Sequence, residues 1–147
     1  MLGHGSPKGL LSVGQFFDAS EYIIDKSMDY LLREKEDNFY IWCNADQFVE
    51  KHGLSGFYSG MFISEFCEAI DFGLENVDWS VIQESNNRFS SVVGKYIDEP
   101  LEVLFDHLII GYGLLAQTNP IARFNIERLY YNKVKSFLEV DDLAENS

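Results

Sequence analysis

Two short motifs hold the residue types that nucleophilic chemistry needs: His4-Gly5 and Trp42-Cys43. A thiol attacks a carbonyl carbon as its thiolate, and a neighbouring imidazole is the usual group that raises the thiolate fraction. Both motifs sit where an apolar run gives way to a loop. Asn38-Phe39-Tyr40-Ile41-Trp42 is aromatic and β-branched, as strands are, and Cys43-Asn44-Ala45-Asp46 turns polar. Met1, Leu2 and Gly3 give a shorter lead into His4. If the two runs are neighbouring strands of one parallel sheet, imidazole and thiol emerge side by side at its C-terminal edge. Ligands and catalytic groups gather at that edge of an open α/β sheet.

The elements that must position these groups follow from periodicity and punctuation. Residues 10–13 and 21–24 read as short strands, with Gly14-Gln15 and Asp18-Ala19-Ser20 as turn material. Asp25 caps a helix over 25–35 on which Met28, Leu31 and Leu32 share a face. A rival reading takes Asp18-Ala19-Ser20-Glu21 as a capping box and starts the helix there. A strand over 38–42 is followed by a helix over 45–52 that Gly53 ends. A third apolar strand spans 57–64, where Gly56 and Gly60 allow close backbone approach. A helix over 65–72 turns Phe66, Ala69 and Ile70 inward and stops at Gly73.

The rest reads as helical. Asp78 caps a helix through Tyr96 carried by Val81, Ile82, Phe89, Val92 and Val93. Pro100 suits a first helical position, and Leu101, Leu104, Phe105, Leu108, Ile109 and Tyr112 form the next buried stripe. Asn119-Pro120 starts a last helix carrying Phe124, Leu129, Tyr130 and Val134. The fold class is therefore α/β, with a partial sheet in the N-terminal half and an all-helical C-terminal half. Residues 1–74 form the α/β half with the His and Cys motifs, 75–138 a helical segment packed on it, and 139–147 an acidic, frayed tail.

The stretch Gly3-His4-Gly5-Ser6-Pro7-Lys8-Gly9-Leu10-Leu11-Ser12-Val13 and the run Phe39-Tyr40-Ile41-Trp42-Cys43 resemble the caspase-like cysteine peptidases, the group of caspases, metacaspases, gingipains and CHAT-domain proteins. In that group a His-Gly follows one hydrophobic strand and the nucleophilic Cys follows the next, with a hairpin and a helix between. The order of the two motifs, their separation of 39 positions and the intervening hairpin and helix carry the likeness, to about Ile70. It implies a thiol protease, or amide hydrolase, with Cys43 as nucleophile and His4 as its acid–base partner. Backbone N–H groups of Gly5 and Cys43 would serve as oxyanion donors. Ser64, in Phe62-Ile63-Ser64-Glu65, matches the Ser-containing stretch that lines the family's specificity pocket. The chain departs from the pattern at Trp42, where a small residue is usual, and at Asn44-Ala45-Asp46, where Gly is usual. The family also has two strands before its His strand, so the chain reads as a fragment, a truncated or inactive copy, or a reduced version of the fold.

Each of these residues has a plainer structural role open to it. Cys43 can be a small buried hydrophobe, and His4 a loop residue between glycines that serve a turn. Ser64 can be an N-cap. Asp46 can meet a basic substrate residue or simply favour a helix dipole from the first turn. Cys67 reads as core.

Composition narrows the function classes. The 147 residues are 46% hydrophobic and 15% aromatic, which fits a packed domain. A net charge of −13 argues against nucleic acid and anionic membranes as partners and is compatible with a basic one. Asp46, Glu65 and Glu68 near the proposed site point to a basic peptide or protein substrate. The alternative function is a non-catalytic, acidic interaction or immunity-type module that binds a basic partner. Two cysteines, Cys43 and Cys67, make no disulfide framework. With no basic-then-apolar leader pattern, a cytoplasmic setting is expected. His4, Cys43, His52 and Cys67 lack zinc-site spacing, and Gly3 to Gly9 lacks the order of a phosphate loop. No metal and no cofactor are expected.

Overall fold

The structure is a computed structural model that describes residues 4–12, 21–74 and 76–132. The described strands form two three-stranded sheets. The first is a small antiparallel sheet of β1 (Gly5–Ser6), β2 (Gly9–Leu11) and β3 (Tyr22–Ile24). Gly9 lets β2 approach the end of β3 closely. At a φ of 142° a Cβ there would overlap the Ile24 carbonyl oxygen, so only glycine fits.

Asp25 caps as its position predicts. Its carboxylate accepts from the Ser27 backbone N–H at 2.8 Å and the Ser27 hydroxyl at 2.6 Å. It opens a 3₁₀ turn, Lys26–Met28, that runs into α1 (Asp29–Arg33). Asp18, Ala19 and Ser20 lie outside the described residues, and strand β3 excludes a helix running on from them. Asn38, buried behind α1, donates its amide to the Leu32 and Lys35 carbonyls and so closes the helix.

The second sheet is mixed. β4 (Phe39–Tyr40) runs parallel to β5 (Gly56–Ser59), and β5 pairs antiparallel with β6 (Leu129–Asn132). The crossover between β4 and β5 is α2 (Ala45–His52), as the sequence predicts. Asn44 enters it with a φ of 62° and Gly53 leaves it at 60°.

Three elements depart from the sequence reading. The strand expected over 57–64 stops at Ser59, because beyond it a side chain replaces the ladder. Asn125 accepts from the Ile63 N–H and donates to the Ile63 carbonyl, both at 2.8 Å. Helix α3 (Phe66–Asp71) buries Ala69 but leaves Phe66 and Ile70 exposed at 42% and 45%. A six-residue helix is held by one small contact, and the apolar stripe alone did not say which face that is. Leu129 and Tyr130 leave the last helix and begin β6, where Tyr130 pairs with Tyr58. An aromatic run beside an open strand edge pairs more favourably than it coils. Val134 and the acidic tail lie outside the described residues.

The remaining helices are α4 (Trp79–Tyr96), α5 (Leu101–Ala116) and α6 (Pro120–Ile126). Asp78 and Asn119 cap α4 and α6 through the N–H groups of Val81 and Ala122. Pro100 sits one place earlier than expected, at the cap of α5, and Ile109 is partly exposed rather than part of the buried stripe. Both halves of the chain share the main core, where Ile41, Phe57 and Phe62 meet Phe89, Leu104, Leu108 and Tyr112.

Asn125 is fully buried and also donates to the Tyr112 hydroxyl at 3.1 Å, which bonds Ser85 at 2.6 Å. Asn125→Leu keeps the volume but strands both Ile63 backbone groups. It should cost roughly 2–4 kcal/mol in urea unfolding, whereas Gln83→Ala on exposed α4 surface should stay within about 0.5 kcal/mol. A near-neutral Asn125→Leu would contradict this account of the loop.

Candidate functional site

β4 and β5 end side by side, and their C-terminal continuations build one wall of a cleft of about 450 Å³. Cys43 follows β4. Phe62 and Ser64 follow β5. The two continuations are tied by the Asn44 N–H to the Gly60 carbonyl at 3.1 Å and by the Ser59 hydroxyl to the Trp42 carbonyl at 3.0 Å. Opposite them, α4 presents Asn86, Asn87 and Ser90. Ile41, Phe62 and Phe89 make the apolar floor.

His4 reaches the same cleft from the other sheet. Among the described strands β1, which follows His4, pairs with β2, and the parallel neighbour of β4 is β5. His4 begins the hairpin, its carbonyl accepting from the Leu11 N–H at 2.9 Å. The lead-in at Met1, Leu2 and Gly3 lies outside the described residues. Trp42 docks the hairpin. Its indole N–H donates to the Ser6 carbonyl at 3.2 Å, and its ring lies so close to Gly5 that a Cβ there would overlap Cδ1 and Cγ. Trp42 stands where the caspase-like pattern has a small residue. It is the side chain that brings His4 over.

The other expected site residues divide. Ser64 lines the cleft, its carbonyl accepting from the Asn86 amide at 2.9 Å. It does not cap α3; Glu65 does. Gly5 is pressed against Trp42 and does not line the cleft. Asp46 also lies outside the lining, on the first turn of α2. Its buried Oδ1 has no hydrogen-bond partner among the described residues. Cys67, expected in the core, is exposed.

Two residues that were expected only as nearby acids hold the reactive groups directly. Glu65 Oε1 meets His4 Nε2 at 3.1 Å in a pair that is half exposed. Glu68 Oε1 accepts from the Cys43 thiol at 3.6 Å. Its Oε2 takes the N–H groups of Ser64 and Glu65 at 2.8 and 3.0 Å, closing a reciprocal capping box with Glu65. The sequence signal was present in Glu65-Phe66-Cys67-Glu68, whose i, i+3 acids have capping-box spacing. Burial pushes the Cys43 thiol up to about 11, and the Glu68 carboxylate adds to the shift.

Among the described residues no group of three or more His, Cys, Asp or Glu side chains is placed to hold a metal ion. No helix among them is long and apolar enough to cross a membrane. No family model matches the sequence, and no curated protein or solved structure matches it either.

Two outcomes follow from this geometry. Gly5→Ala should destabilise the fold by about 1–3 kcal/mol, because the added methyl overlaps the Trp42 ring; an unchanged melting temperature would contradict the docking role. The thiol holds its proton more tightly folded than unfolded. That stabilisation is complete below its ordinary value of 9.0 and is lost as pH rises toward about 11. Cys43→Ala has no such proton, so its stability should fall less than the wild type's across that window. Parallel alkaline losses would contradict the assignment.

Proposed function

We propose that the cleft is the active site of a cysteine peptidase or amide hydrolase of caspase-like type. One observation carries the reading: His4 and Cys43, delivered by different sheets, line the same cleft as Ser64. Thiol and imidazole lining one mostly apolar cleft, beyond the C-terminal ends of two parallel strands, is an arrangement that acyl transfer uses.

The roles follow from the contacts. With Glu65 accepting from His4 Nε2–H, the Nδ1 lone pair is left as the base. The Cys43 sulfur attacks the acyl carbon while its proton passes to Nδ1. The amide C–N bond then breaks, and the imidazolium returns the proton to the departing amine. Water, deprotonated by the same imidazole, releases the acid and restores the thiol. Glu65 acts as the positioning group for the imidazole, completing a Cys–His–acid series. The substrate is a peptide or protein. We set the protein in a reducing cytoplasm, where both cysteines remain thiols.

A second reading has its own observation. The thiol is bonded to a carboxylate and raised in pKa, the reverse of a pre-formed thiolate. This favours a non-catalytic acidic module whose cleft binds a basic peptide segment.

Turnover of two fluorogenic peptide pools, with basic or acidic residues at the cleaved position, separates the readings. Among the described lining residues Glu68 is the acidic one. We therefore expect faster cleavage of the basic pool, lost by a hundredfold or more in Cys43→Ala and His4→Ala. Binding of the basic pool without cleavage would favour the module, and cleavage that survives Cys43→Ala would refute the hydrolase assignment.

A further inference from the structure

The cap and first turn of α3 hold both reactive groups, each by its own carboxylate: Glu65 takes the imidazole and Glu68 the thiol. We propose that Glu68 is the positioning residue that sets the reactivity of Cys43, holding the sulfur in its thiol form through the Sγ–H to Oε1 contact. The inference goes beyond both readings of the cleft, because it rests on the contact itself and the chemistry it predicts can be read without any turnover.

The geometry gives Glu68 two separate jobs on two separate oxygens. Oε2 is saturated by the Ser64 and Glu65 N–H groups and lies 3.4 Å from the Ser64 hydroxyl. Those bonds fix the carboxylate against the end of its own helix. Oε1 is therefore presented at a set place, and the Cys43 thiol is the partner it meets there. The Phe62 carbonyl is a second acceptor near the sulfur, at 3.9 Å. A thiolate would face both oxygens and be repelled by the carboxylate, whereas a thiol satisfies Oε1. Among the described lining residues the other titratable groups are Glu68 from α3 and His4 from the hairpin. Asp46 stands on α2 outside the lining, and α4 faces the cleft with Asn86, Asn87 and Ser90, which carry no charge. The helical cap and the protonation of the thiol are thus joined in one side chain.

The test uses the full chain with Cys67→Ser, so that Cys43 alone reports, and follows iodoacetamide labelling against pH. Glu68→Gln keeps an oxygen for the cap and removes the charge. Burial remains the larger cause of the raised thiol, so the variant should lower the midpoint of the labelling profile by up to about one pH unit, which is up to roughly tenfold faster labelling near pH 8. Glu65→Gln, which touches His4 and not the sulfur, should leave the profile where it is. Glu68→Asp, too short to reach the thiol from its capping place, should move it as Glu68→Gln does and guards against a fold-specific failure of the amide. A folded Glu68→Gln with the wild-type profile would overturn the proposal. So would an equal shift in Glu65→Gln, and so would loss of fold in both Glu68 variants, which would make the residue a cap alone. A shifted profile in a protein that cleaves no peptide would remove the hydrolase reading and leave this one standing.

Discussion

The structure depends most on one buried amide. Asn125 on α6 pairs with both backbone groups of Ile63, a residue with no strand neighbour, and so stands in for a sheet ladder. Buried peptide groups that lose their partners cost about 1–3 kcal/mol each, so the segment after β5 can leave the sheet only because this side chain receives it. That segment carries Phe62 and Ser64 into the cleft and leads to the Glu65–Glu68 cap. The Tyr112 and Ser85 hydroxyls extend the same network to α5 and α4. The helical half is therefore more than a cover for the sheet. It sets where one wall of the site lies.

The imidazole side of the site is set by packing. Trp42 is buried and stacked edge-on against Tyr40 and Phe48 within the β4–α2 unit. From that rigid base it accepts the hairpin, with Gly5 under its ring and Ser6 on its indole nitrogen. Two sheets with no shared strand are joined here, and His4 arrives at the cleft as a consequence. The site thus has a firm thiol side and an imidazole side whose partner, Glu65, is half exposed. Exposed ion pairs hold geometry weakly, so the hairpin's own contacts must do most of the positioning.

Local punctuation was legible in the sequence. Asp25, Asp78 and Asn119 cap where they were expected to, and Gly53 ends α2. The long amphipathic helices α4 and α5 were readable from their period. What was not legible depended on distant partners. Nothing in Leu129-Tyr130-Tyr131-Asn132 says that β5 offers an edge, and Phe66 and Ile70 cannot tell which face of a short helix is covered. The same holds for the site. His4 and Cys43 stood out by type and spacing, and they line one cleft through the docking of the hairpin on Trp42. Glu65 and Glu68 had visible capping-box spacing, yet their second use requires the hairpin and the β4 loop to be in place.

The central claim is that His4 and Cys43 act on one acyl group in one cleft. Incubation with a peptidyl thioester, followed by acid quench and peptide mass mapping, tests it most directly. The account predicts a single acyl adduct on Cys43, formed far more slowly in His4→Ala and absent from the more exposed Cys67. An adduct that falls on Cys67, or that forms on Cys43 at the same rate without His4, would contradict it.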